Sequence, residues 1–91
     1  MLNENYDYEK MEKIEKMLTE NVGTKIEISG ASENGIVFGN DMYEMLKFYL
    51  EIDKKTYKIL DIEITYNYCD IPRLKEIVKE NYNEMLENDF E

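Results

Sequence analysis

The chain has 91 residues, which is enough for one small domain with a single core. Its 21 acidic and 11 basic residues give a net charge of −10, which excludes direct nucleic-acid binding by phosphate neutralisation and disfavours an anionic membrane surface. Histidine is absent and cysteine occurs once, so one chain cannot build a Cys/His zinc site, a disulfide framework or His-based acid–base catalysis.

The first predicted element is an amphipathic helix over residues 8–20. Its apolar residues recur at helical spacing, and Glu–Lys pairs four residues apart neutralise its outer face. Gly23 supplies the helix stop. Residues 24–29 then alternate polar and apolar side chains, as a half-buried strand does, and a Gly-rich turn leads to a short apolar strand at residues 36–38.

Residues 43–67 are predicted to form a long hairpin, with its turn at residues 53–56. A helix over residues 42–52 is the alternative, because Met and Leu also recur there at helical spacing and Asp41 with Glu44 fits a capping box. In the hairpin, alternation predicts that eight residues share the core face: Leu46, Phe48, Leu50, Ile52, Leu60, Ile62, Ile64 and Tyr66.

A closing helix follows, with Asp70 as its predicted N-cap and Pro72 in the first turn. Cys69 is interpreted as a small buried apolar residue. The order α-β-β-β-β-α predicts one α+β domain over residues 1–91, an antiparallel sheet of three to four strands with both terminal helices on one face. The apolar stripe of the closing helix comprises Leu74, Ile77, Val78, Tyr82, Met85 and Leu86.

Acidic residues accumulate on the closing helix, and no basic residue follows Lys79. At 100° per residue, five glutamates fall within about 80° of one another, opposite the apolar stripe. Such a row destabilises its own helix, which favours a binding role, whereas the alternative interpretation is a solvated acidic tail. The members of this predicted acidic ridge are Glu76, Glu80, Glu84, Glu87, Asp89 and Glu91.

Tyrosines form the second candidate surface. Tyr43, Tyr49 and Tyr57 are predicted on the sheet face opposite the core, together with Asp61 and Glu63. The alternative is that a loop or the N-terminal segment folds over this face and buries it. The two carboxylates are spaced for Mg²⁺ or an acid/base pair, but no other motif supplies a pocket. We therefore expect a protein without catalytic, metal or cofactor sites, and not an enzyme.

The N-terminal residues lack the features of a secretory signal, and no apolar run approaches the roughly 18 residues that span a membrane, which predicts a cytoplasmic protein. In size, charge and helix–sheet–helix order the chain resembles the small acidic inhibitors that phages and mobile elements carry against host defence, namely anti-CRISPR and DNA-mimicking anti-restriction proteins. The acidic ridge carries this resemblance.

The resemblance implies a basic nucleic-acid-binding partner, such as a CRISPR effector in a bacterial host, whose DNA- or RNA-binding cleft the protein occupies. A different class of function stays open beside it. The alternative is a small non-enzymatic interaction or assembly module, a homodimer or accessory subunit joined through the Tyr/Met-rich sheet face or the hairpin edge.

Overall fold

The computed structural model describes residues 7–41 and 45–90, which form two helices and a five-stranded antiparallel sheet. The strands follow one another across the sheet in chain order, and both helices pack on one face. This confirms the predicted two-layer α+β fold, with five strands where three to four were expected. The elements are α1 Tyr8–Val22, β1 Ile26–Ala31, β2 Gly35–Asn40, β3 Leu46–Asp53, β4 Ile59–Tyr66, β5 Cys69–Asp70 and α2 Pro72–Glu87.

A single apolar core fills the space between the sheet and the helices. Burying each large apolar side chain contributes about 1.5 to 3 kcal/mol, so these residues dominate the stability of the domain. Neither helix of the described chain is long and apolar enough to cross a membrane. The buried residues are Met11, Ile14, Leu18, Ile26, Ile36, Phe38, Phe48, Leu50, Ile52, Ile62, Ile64, Val78, Tyr82 and Phe90.

Local sequence signals explain the ends of the helices. The Asp7 side chain accepts a hydrogen bond from the Lys10 backbone N–H (3.2 Å) at the start of α1. Gly23 ends α1 in the left-handed conformation at φ 86°, which confirms the predicted stop. The predicted N-cap of α2 is wrong: Ile71 holds that position without a side-chain bond, because Asp70 pairs with Thr65 in the sheet.

The hairpin predicted over residues 43–67 is confirmed in the described chain, where β3 and β4 run from Leu46 to Tyr66, while residues 42–44 lie outside the described residues. Two of its predicted core positions are wrong. A register shift between Glu51 and Ile52 places Ile59 opposite Ile52, so Leu60 falls out of the alternation and is 49% exposed. Tyr66 ends β4 beyond the last buried residue of that strand and is 57% exposed.

Cys69 is exposed, which corrects the prediction of a buried cysteine. It lies in β5, a two-residue strand that pairs only with the end of β4. Both residues of this strand are exposed, so its side chains remain outside the core.

Gly35 lies beneath the side chain of Glu51, where a Cβ atom would come within 2.5 Å of Glu51 Oε2 and 2.9 Å of the Ile52 carbonyl oxygen. We expect Gly35→Ala to lower the free energy of unfolding by about 1 to 3 kcal/mol, because β3 would have to move. Gly30→Ala is the matched control, since no atom lies within 4 Å of its Cβ position. Urea denaturation measures both, and equal effects would contradict the steric argument.

Candidate functional site

Four members of the predicted ridge lie on one exposed side of α2, and we call them the α2 acids: Glu76, Glu80, Glu84 and Glu87. The opposite side of the helix buries Val78 and Tyr82 in the core. The α2 acids take part in none of the ion pairs found among residues 7–41 and 45–90. Helical geometry spaces successive acids by roughly one turn, about 5.4 Å along the axis. The result is a row of uncompensated carboxylates on a rigid helix.

The row opposes the electrostatics of its own helix. The N-terminus of a helix favours negative charge and the C-terminus favours positive charge, yet α2 has no acidic residue in its first turn and no basic residue in its last. Neighbouring acids four residues apart also repel each other by a few tenths of a kcal/mol per pair. A cationic partner would relieve both penalties, and this relief would add to the favourable free energy of binding.

The C-terminal tail is anchored rather than solvated as far as Phe90. After α2 the chain reverses through Asp89 and Phe90, whose φ angles are 55° and 63°, and Phe90 is only 2% exposed. Lys13 Nζ donates to the Phe90 carbonyl oxygen (2.8 Å), and Asp89 lies 3.8 Å from Lys10 Nζ. Asp89 therefore turns towards α1 and away from the α2 acids. Glu91 lies outside the described residues.

Tyr57 is not on the sheet face predicted for it. It ends the turn between β3 and β4 at φ 65°, because the turn runs further than the alternation suggested. Its ring meets Phe90 edge to face (centroids 5.6 Å apart), and its carbonyl oxygen accepts a hydrogen bond from the Tyr82 hydroxyl. Tyr57 thus belongs to an aromatic cluster at the end of the core and is half-buried there.

The sheet face away from the helices does bring Tyr49, Asp61 and Glu63 together. Tyr49 pairs directly with Glu63, and Asp61 lies opposite Glu51. Desolvation, followed by the negative charge of Glu51, raises the pKa of Tyr49 above its ordinary value. Lys47 forms a salt bridge with Glu63 (2.8 Å), and that hydrogen bond raises the pKa of Lys47. We call this acidic surface the Tyr49 surface, after the half-buried tyrosine at its centre; it comprises Lys47, Tyr49, Glu51, Asp61 and Glu63.

The predicted site residues therefore divide between two surfaces. Both helices cover one face of the sheet, so the α2 acids and the Tyr49 surface lie on opposite sides of a two-layer domain. A single flat contact cannot use both.

No family model, no curated protein and no solved structure matches this chain. The function therefore has to be inferred from the two surfaces themselves.

The described residues contain no cluster of three or more metal-binding side chains. The Asp61 and Glu63 carboxylates are occupied separately: Asp61 Oδ1 accepts a hydrogen bond from the Ile62 N–H (2.9 Å), and Glu63 holds Lys47. What these surfaces offer chemically is rows of oxygen acceptors for cationic groups. The α2 acids are the better candidate of the two, because none of them forms an ion pair with a lysine or arginine of the described chain.

Sequence reasoning missed Phe90, which fixes the end of α2. It also missed two exposed aromatic residues at the β4–β5 turn, where Tyr68 is 94% exposed next to Tyr66. Asn67 and Tyr68 both have positive φ, as a two-residue hairpin turn requires. The only available signal was the Asn67–Tyr68 pair between alternating residues, and a tyrosine is not the glycine that such turns usually contain.

Proposed function

We propose that the protein is an acidic inhibitor that binds a basic nucleic-acid-handling protein, such as a CRISPR effector, in the bacterial cytoplasm. It blocks the cleft of that protein by presenting carboxylates where DNA or RNA phosphates would bind. One observation carries the proposal: the α2 acids form an exposed row along a single helix, and none of them takes part in an ion pair within the described chain.

The dimensions of the row suit this role. From Glu76 to Glu87 the helix rises about 16 Å, which corresponds to about five of the 3.4 Å steps that separate phosphates along one DNA strand. The carboxylates are sparser than phosphates, so they satisfy some, not all, of the lysines and arginines in such a cleft. Complementary charge also accelerates encounter between the two proteins.

Rigidity adds to the affinity. The α2 acids start from a helix whose far side is locked into the core by Val78 and Tyr82 and whose end is fixed by Phe90. A preorganised row avoids the ordering cost that a disordered acidic tail would incur on binding. On binding, the glutamate side chains then have to be ordered but the backbone does not.

The Tyr49 surface supports the second candidate, an interaction or assembly module. A half-buried tyrosine surrounded by polar residues, on a sheet face that neither helix covers, has the composition of a protein interface. Because the two surfaces lie on opposite sides, substitutions on one leave the other intact, and the two functions can be tested separately.

The test neutralises three of the acids in the variant E76Q/E80Q/E84Q and measures binding to a purified CRISPR effector in its nucleic-acid-free and DNA-bound forms. We expect wild type to bind only the nucleic-acid-free effector and to lose affinity steeply with added NaCl. We expect the variant to bind at least about 30-fold more weakly than wild type. The matched control, E12Q/E20Q/E33Q, changes three exposed acids elsewhere and should bind as wild type does. Equal binding by both variants would refute the assignment to α2.

The same variant is expected to be more stable than wild type. Removing like charges from α2 should raise the free energy of unfolding by about 0.5 to 1.5 kcal/mol at low ionic strength, and the gain should shrink in salt. Urea denaturation in 10 mM and 500 mM NaCl, about the range in which screening becomes strong, measures this change. A less stable variant would contradict the electrostatic description of α2 and would leave its loss of binding unexplained.

A further inference from the structure

The outer edge of β4 is open. β4 pairs with β3 along its length, but only Thr65 and Tyr66 pair with β5, so residues 59–63 have no strand on that side within the described chain. The Ile64 carbonyl oxygen accepts a hydrogen bond from Ile71 N–H on the β5 side (3.1 Å). Alternation along the strand turns the backbone groups of Ile62 to the same edge. The Ile62 N–H is held there by Asp61, the preceding side chain.

The opposite edge of the sheet is closed by side chains of α1. Thr19 Oγ1 accepts a hydrogen bond from Ile26 N–H (2.9 Å) and donates to the Ile26 carbonyl oxygen (3.3 Å). The Ile28 N–H donates to Glu15 Oε2 (2.9 Å). Native proteins block sheet edges in this way to prevent pairing with other chains. At the β4 edge, residues 59–63 have no neighbouring strand, and a second strand that pairs there would replace the Asp61 carboxylate at the Ile62 N–H.

An open groove of about 660 Å³ runs between this edge and α2. The helix contributes residues spaced four apart, which stand in one row: Lys75, Lys79, Asn83 and Glu87. Neither lysine takes part in an ion pair in the part of the chain that the structure describes. The row is basic in its first half and ends in a carboxylate. It is therefore complementary in charge to a copy of itself that runs in the opposite direction.

We propose that the β4 edge pairs with β4 of a second copy about a two-fold axis, which makes one continuous sheet across a homodimer. Lys75 of each copy then lies opposite Glu87 of the other, and Lys79 lies opposite Asn83. On the strand, Leu60 of the two copies meets near the axis, which accounts for an exposed leucine at the edge of the groove. Such a symmetric interface uses the same patch twice.

The net charge of each copy opposes this association at long range. At physiological ionic strength the Debye length is about 8 Å, so the repulsion from distant acids is largely screened. The contact itself consists of backbone hydrogen bonds, Leu60 and groups of opposite charge. We therefore expect the dimer to survive in 0.5 M NaCl, roughly the range in which charge-led complexes dissociate. This inference does not rest on the proposed inhibitor function.

Sedimentation equilibrium of the full chain tests the proposal with the charge-swap variants K75E, E87K and K75E/E87K. Each single variant should weaken the dimer about tenfold, and the double variant should restore it to within about threefold of wild type. Residues 75 and 87 are about 18 Å apart along their helix, so rescue cannot arise within one chain. The matched control K16E/E33K exchanges the same charges at distant exposed positions and should dimerise as wild type does.

A second variant tests the strand. Leu60→Lys alters an exposed side chain and brings two ammonium groups together at the axis, so it should abolish the dimer while the circular dichroism spectrum stays that of wild type. A monomeric wild type up to about 0.5 mM would overturn the proposal, as would a double charge swap without rescue or an undiminished Leu60→Lys dimer. The variants E87K and K75E/E87K change one of the α2 acids, so the inhibitor assignment is judged on E76Q/E80Q/E84Q, which leaves Lys75, Glu87 and Leu60 unchanged.

Discussion

Replacing Phe90 by alanine is expected to lower the free energy of unfolding by about 3 to 4 kcal/mol. The ring is 2% exposed, and its edges face Tyr57 and Tyr82 with centroids 5.6 and 6.4 Å away. Aromatic pairs of this geometry add about 0.5 to 1.5 kcal/mol each beyond the buried area. A domain of this size has roughly 5 to 15 kcal/mol in total, so one residue next to the C-terminus supplies a large fraction of it.

The effect of that substitution reaches beyond the lost ring contacts. Asp89 and Phe90 both have positive φ, a conformation that costs a non-glycine residue about 1 kcal/mol or more. Burial of the Phe90 ring is what offsets this cost, and it also keeps the Phe90 carbonyl oxygen on Lys13 Nζ. Without the ring, the last turn of α2 should exchange its amide hydrogens faster than the rest of the helix.

Urea denaturation of three variants separates these contributions. Phe90→Leu keeps an apolar side chain and should cost about 1 to 2 kcal/mol, whereas Asp89→Asn alters an exposed residue and should stay within about 0.5 kcal/mol of wild type. A Phe90→Ala variant within about 1 kcal/mol of wild type would show that the tail does not belong to the core.

The regular elements could be predicted from the sequence because each has one apolar face with its own period. The 3.6-residue repeat places Ile14 and Leu18 of α1 in the core, and the two-residue repeat does the same for Phe48 and Leu50 of β3. Phe90 has no periodic neighbours. Its burial depends on a chain reversal that two non-glycine residues make in a left-handed conformation, which no local propensity favours.

The position of a residue along the chain also gave a wrong prediction of its location wherever the backbone departs from ideal strand geometry. Leu60 falls out of alternation because the register of β4 shifts against β3, and Tyr57 falls out of the sheet because the preceding turn is longer than expected. Neither change alters the composition of the segment. Both become visible only when the partner strand and the aromatic cluster around Phe90 are in place.

The candidate site likewise could be predicted from the sequence only in part. Helical periodicity alone places the α2 acids in one row, because the direction of each side chain follows from its number. The groove at the β4 edge could not be found in this way, since it needs α2 and β4 to be neighbours in space. Nor does local sequence show that Thr19 and Glu15 close the other edge of the sheet, because both contacts join separate elements.

Tyr82→Phe is expected to reverse the order of stability between wild type and variant as pH rises. At pH 7 the variant should be less stable by about 0.5 to 1.5 kcal/mol, because it loses the hydrogen bond to the Tyr57 carbonyl oxygen. Burial, with a smaller contribution from nearby Tyr57, raises the pKa of the Tyr82 hydroxyl well above its ordinary value of 10.0. The native state therefore keeps its proton in a range where the unfolded chain releases it.

A pKa raised in the native state gives stability that is fully present below the unfolded value, near 10 for tyrosine, and is lost as pH rises above it. The loss amounts to about 1.4 kcal/mol per pH unit, so wild type should lose about 2 to 3 kcal/mol more than the variant between pH 10 and pH 12. The comparison with the variant isolates the contribution of Tyr82, because no other residue differs between the two proteins. Urea denaturation from pH 7 to pH 12 should thus show the two stability curves crossing near about pH 11. Curves that stay parallel would mean that the Tyr82 hydroxyl ionises as easily in the native state as in the unfolded chain, and that the aromatic cluster does not exclude water from it.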